Sequence, residues 1–118
     1  MSIIEGQKIN NTFFISINNP KSKNSMVLGF HPQLQSKIDE AENSKDINSI
    51  IIFGEGGFFC AGGDLNSLKT RRDMTVPERL ETLEQLNGTI KKIKECPKPT
   101  IAAVEGGAAG AGVSLALA

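Results

Sequence analysis

Hydrophobic and polar positions follow two rhythms along this chain. Thr12, Phe13, Phe14, Ile15 and Ile17 are β-branched or aromatic and predict a strand within residues 11–18. A polar turn, Asn19-Pro20-Lys21-Ser22-Lys23-Asn24, ends it. Phe30, Leu34, Ile38 and Ala41 then recur at helical spacing, which predicts a helix with Pro32 in its first turn. Ser49-Ile50-Ile51-Ile52-Phe53 is a continuous apolar run of the kind buried on both faces of a sheet, and residues 54–57 break it. Thr75, with Glu78 at the capping-box position and Pro77 behind it, opens a second helix. Its apolar stripe is Val76, Leu80, Leu83, Leu86, Ile90 and Ile93, and it stops at Cys96-Pro97. Residues 100–104 predict another buried strand, and a glycine-rich loop at 106–112 leads into a last helical run. Strands alternating with long helices argue for an α/β architecture. No internal repeat interrupts the pattern.

Composition narrows the functional classes. The chain has 118 residues, within the usual size of one domain, and 39% of them are hydrophobic, enough for a core. Thirteen basic residues balance thirteen acidic ones. Binding to nucleic acid or a membrane surface would need clustered positive charge, which is absent from the sequence. No apolar run reaches the ~18 residues of a membrane-spanning helix. The start, Met1-Ser2-Ile3-Ile4-Glu5, lacks the pattern of a secretory signal. Cys60 and Cys96 have neither metal-ligand spacing nor the density of a disulfide framework, so no metal site and a cytoplasmic location are expected. The last residues, Leu115-Ala116-Leu117-Ala118, lie in an apolar helix-favouring run that no Gly, Asn or Pro closes, and the chain reads as a piece cut within a helix.

The candidate chemistry lies in two loops, each after a predicted strand and before a helix: Phe58-Phe59-Cys60-Ala61-Gly62-Gly63-Asp64-Leu65 and Glu105-Gly106-Gly107-Ala108-Ala109-Gly110-Ala111-Gly112. Small residues permit positive φ and bring a ligand close to main-chain N–H groups. Helix starts add free donors and partial positive charge. Two such loops facing one another would supply paired donors to one developing oxyanion, worth about 3–4 kcal/mol per donor.

The first loop resembles the F-C-A-G-x-D-L segment of the enoyl-CoA hydratase/isomerase (crotonase) family. Lys98-Pro99-Thr100-Ile101-Ala102-Ala103-Val104-Glu105-Gly106 through Gly112 is similar to that family's K-P-x-I-A-A-V-x-G-x-A-x-G-x-G signature. Asn19-Pro20-Lys21-Ser22-Lys23-Asn24-Ser25-Met26 is similar to its N-P-x-x-x-N-A-L/M turn. The three segments stand in the family's order and separations and span nearly the whole chain. The resemblance implies a crotonase-like ββα superhelix, here incomplete, with residues 1–118 as its N-terminal part. It further implies an acyl-CoA substrate, coenzyme A entering only as part of it, no separate cofactor, and assembly into trimers or hexamers. By position, the backbone N–H groups of Gly63 and Ala111 would form the oxyanion hole. Cys60, Ala61, Gly62, Asp64, Leu65 and Gly110 would line the acyl and pantetheine path. Lys21, Ser22 and Lys23 would meet the nucleotide end of coenzyme A, although lysines in an exposed turn are commonly just solvated.

The pattern departs from the family at Ser114, where the hydratases carry a catalytic glutamate. A serine hydroxyl does not titrate near neutral pH and cannot activate water as a carboxylate does. That makes isomerisation at least as strong an expectation as hydration, and leaves open a non-catalytic module that binds acyl-CoA or partner proteins. Asp64 is expected to cap a short helix at residues 65–69 rather than transfer a proton. His31, beside Pro32, reads as a surface residue, Cys60 as a buried filler beside Phe58 and Phe59, and Glu105 as an exposed turn residue. Two rivals remain. Gly106, Gly110 and Gly112 also spell the glycine pattern of a dinucleotide-binding dehydrogenase, but that fingerprint normally follows the first strand of its domain. Gly112-Val113-Ser114-Leu115-Ala116 approximates a nucleophile elbow. Each rival explains one loop and leaves residues 60–65 unexplained.

Overall fold

The computed structural model describes residues 2–118, apart from the side chains of Ser67 and Leu68. Strands β1 (Ile4–Ile9), β2 (Thr12–Ile17), β3 (Ser49–Gly54) and β4 (Thr100–Ala103) form one sheet in the order β1-β2-β3-β4. β1 and β2 are an antiparallel hairpin that turns through Asn10, at φ 54°, a left-handed conformation that asparagine tolerates. The other two pairings are parallel and need crossovers. Helix α1 (Phe30–Glu42) makes the first; α2 (Leu65–Arg71) and α3 (Val76–Glu95) share the second; α4 (Ala111–Leu117) follows β4.

The pleat decides which face is core. Phe13 is in register with Ile50 and Ile15 with Ile52, and all four are buried. Phe30, Leu34, Ile38 and Ala41 of α1 complete the same apolar cluster, at the spacing that predicted the helix. Lys98 Nζ donates to the carbonyls of Ala41 and Ser44, supplying partners where α1 ends. Lys92 of α3 pairs with Asp39 of α1 at 2.6 Å.

The expectation that β3 and β4 are buried on both faces is corrected. Phe14, Ile51 and Ile101 share a register row on the other face; the first two are half-buried and Ile101 is 53% exposed. Among the described residues no helix covers that side, and β4 is a sheet edge. The stripe of α3 is also only partly used. Thr89 and Ile93 are buried, whereas Val76, Leu80 and Leu83 stay exposed, because only the later part of the helix rests on α1. β1 was not expected, since only Ile4 in it is buried and its polar residues hide the alternation. The short helix after Asp64 is present and extends to Arg71.

Candidate active site between two glycine loops

The turn at residues 19–26 is built around Asn24, which is fully buried at φ 56°. Its Oδ1 accepts from the Asn19 amide at 2.7 Å. Its Nδ2 donates to the carbonyls of Glu55 at 2.9 Å and Phe58 at 2.7 Å. One side chain therefore closes its own turn and fastens it to the first glycine loop. The chain continues the seam. The Ala61 amide donates to Lys23 O and the Met26 amide to Gly62 O, which places Met26 beside Gly63 in a parallel bridge.

The second loop lies against the first. The Phe59 amide donates to Gly107 O at 3.0 Å and the Ala109 amide to Cys60 O at 3.1 Å, with Cys60 and Ala108 bridged in parallel. Contact this close requires glycine. A Cβ on Gly112 would stand 2.1 Å from Cys60 O, and one on Gly62, at φ 86°, would stand 2.7 Å from Ala109 O.

This packing brings Gly63 and Ala111 to one cavity of about 560 Å³. Ala111 is the first residue of α4, a position whose N–H has no partner within its helix. Among the described residues neither the Gly63 nor the Ala111 amide has a hydrogen-bond acceptor. The cavity also touches Ala61 and Gly110, the start of α1 at Gly29 and His31, and one side of α2 and α3.

The expected site residues divide into four groups. Ala61, Gly63, Gly110 and Ala111 line the cavity, and Gly62 is buried beneath them. Cys60 is in the hydrophobic core, where burial pushes its thiol pKa up; it is the filler its neighbours implied. Asp64 and Leu65 lead into α2 and Ser114 is exposed on α4; none of the three lines the cavity. Lys21 and Lys23 are exposed on the turn, and Ser22 between them is half-buried. Ser22 Oγ donates to Asn19 O, and the Lys23 ammonium lies 5.6 Å from the centre of the Phe58 ring.

His31 is corrected from surface to interior. It is buried, with Nδ1 2.9 Å from Thr89 Oγ1. The Thr89 hydroxyl gives its hydrogen to Gln85 O and accepts from Gln35 Nε2, so the His31 Nδ1 is the donor. Burial lowers the His31 pKa to about 4, and the ring is neutral at neutral pH. Arg71, Met74 and Glu81 also line the cavity and were not singled out in the sequence. They reach it through the packing of α2 and α3, which no local motif marks. Among the described residues no cluster of three His, Cys, Asp or Glu side chains is arranged to hold a metal, and no helix is long and apolar enough to cross a membrane.

The profile of the family described as Enoyl-CoA hydratase/isomerase matches residues 7–118. A probable enoyl-CoA hydratase, EchA14, of Mycobacterium tuberculosis is 38% identical over 104 residues, covering 88% of this chain and 40% of that protein. The peroxisomal Delta(3,5)-Delta(2,4)-dienoyl-CoA isomerase of Arabidopsis thaliana is 32% identical, covering 98% of this chain and 45% of that protein. The crystal structure of an enoyl-CoA hydratase from Polaromonas superposes with a TM-score of 0.92 at 38% identity, covering 97% of this chain and 44% of that one. The chain thus spans less than half the length of these relatives, and its α/β fold is the corresponding part of the crotonase fold. It belongs to the enoyl-CoA hydratase/isomerase family.

Proposed function

We propose that this chain forms the thioester-binding part of an acyl-CoA hydratase or isomerase, in which the N–H groups of Gly63 and Ala111 stabilise a thioester enolate. One observation carries the reading: two loops distant in sequence are held in contact so that two amides without acceptors border the same cavity. A thioester carbonyl placed there gains hydrogen bonds that strengthen as its oxygen becomes negative, so the enolate is favoured over the ground state. Family membership and the names of its relatives, a hydratase and an isomerase, support acyl-CoA as the substrate.

The rest of the reading follows from position. Lys21, Ser22 and Lys23 serve the phosphate end of coenzyme A, and the loop from Cys60 to Leu65 with Gly110 shapes the acyl and pantetheine path. Ser114 supplies no acid or base, which favours a mechanism other than the two-glutamate addition of water. Assembly is as a trimer or hexamer and the location cytoplasmic. Coenzyme A enters as part of the substrate, and no metal or redox cofactor takes part.

Titration of crotonyl-CoA into the full-length protein tests this, with NADPH as control. Binding of the thioester without the dinucleotide is expected. Dinucleotide binding without thioester binding would mean that the loop at residues 106–112 is a cofactor cradle.

A further inference from the structure

We infer that the cavity selects acyl groups with a carboxylate at their far end, and that Arg71 reads that charge. The inference rests on the acyl-CoA reading above and adds the substrate class. Arg71 is the last residue of α2 and lines the same cavity as Gly63 and Ala111. Its Nε is shut off from solvent and, among the described residues, has no hydrogen-bond partner. Among the described residues the side-chain ion pairs are Lys8 with Asp46, Lys37 with Glu40 and Lys92 with Asp39, so no carboxylate pairs with Arg71. Glu81 borders the cavity without reaching ion-pair distance of it.

A buried N–H left without an acceptor is costly, and a guanidinium keeps its charge at every relevant pH. A saturated hydrocarbon tail would leave the Arg71 guanidinium in the cavity wall without a counter-charge. A carboxylate fits its planar fork with two parallel hydrogen bonds. Arg79 Nε donates to Arg71 O at 3.0 Å and Arg79 Nη2 to Arg72 O at 3.1 Å, which holds a second guanidinium at the end of α2. The adjoining wall of Val27, Met74, Leu83 and Leu86 suits the methylene carbons between thioester and carboxylate. Loop amides at one part of the cavity, apolar side chains and an unpaired guanidinium together describe an acyl group that is apolar in the middle and anionic at its end.

The test compares glutaryl-CoA, pentanoyl-CoA and coenzyme A alone by calorimetric titration into the full-length protein. Glutaryl-CoA should bind about tenfold tighter than pentanoyl-CoA, the usual worth of a charge-assisted contact. Arg71→Met should erase that preference by weakening glutaryl-CoA binding more than pentanoyl-CoA binding, and a far-ultraviolet circular dichroism spectrum matching that of the wild type shows that the variant is folded. Arg71→Lys should keep part of the preference, since it retains charge but loses the fork. Equal affinity for the two thioesters, or a preference that survives Arg71→Met, would overturn the role of Arg71 and leave the acyl-CoA reading standing. If neither thioester bound better than coenzyme A, the acyl-CoA reading would fall, and this inference with it.

Discussion

Asn24 shows how much of the site depends on single polar atoms. Its amide group partners the Asn19 N–H and the carbonyls of Glu55 and Phe58, all from a fully buried position. Asn24→Ala leaves those groups unpaired, and at the usual cost of buried orphans it should lower the unfolding free energy by about 3 kcal/mol. Denaturant titration of the full-length protein would measure the loss; a change below about 0.5 kcal/mol would mean that water replaces the side chain. Gly112→Ala acts differently, because its Cβ would sit 2.1 Å from Cys60 O and must push α4 off the first loop. Acyl-CoA affinity should fall at least tenfold there, since oxyanion donors must be held to fractions of an ångström. Undiminished affinity would show that the loop contact does not position Ala111. The glycines and Asn24 were legible as residue types in the sequence, because only a few residues tolerate such conformations. Arg71 and Glu81 were not, since nothing local distinguishes a charged residue that faces a cavity from one that faces water.

Among the elements, α1 and α3 are joined by a polar seam. Buried His31 and Thr89 form a hydrogen-bonded set with half-buried Gln35, and Lys92–Asp39 adds an ion pair nearby. The His31 pKa falls from 6.5 to about 4 through burial. The unfolded chain therefore takes up the proton first as pH drops. The stability contributed by the neutral ring is complete above pH 6.5 and is lost on descending towards pH 4. Its slope is at most about 1.4 kcal/mol per pH unit for one proton. Unfolding free energies of wild type and His31→Gln should converge across this window, and parallel curves would contradict the assignment. Periodicity located both helices, and the capping box at Thr75 marked the start of α3 correctly: Thr75 Oγ1 accepts from the Glu78 amide at 3.3 Å. It did not show how much of the α3 stripe would be covered, because coverage depends on where a neighbouring element stops. β1 escaped for the complementary reason. An edge strand with one buried residue carries almost no alternation.

At the scale of the molecule, one side of the sheet is open. Phe14, Ile51, Phe53 and Ile101 face away from α1, and Val104, Val113 and Leu117 are exposed near the later end of the chain. An apolar surface of this kind, with β4 as an open edge, favours association. The 118-residue polypeptide expressed by itself should therefore self-associate in sedimentation velocity, and Ile101→Lys should shift it towards monomer. A monomeric species with one sharp unfolding transition would contradict this. The architecture was legible because two parallel crossovers and two glycine loops punctuate the chain at characteristic places. The open face was not, since an apolar run looks the same whether or not something covers it. The central claim concerns the amides of Gly63 and Ala111, and the infrared stretch of an isotope-labelled thioester carbonyl tests it most directly. On binding of labelled crotonyl-CoA to the full-length protein, that stretch should move to lower frequency, as two N–H groups draw charge onto the oxygen. A carbonyl that binds with its solution frequency unchanged would mean that these amides do not polarise it.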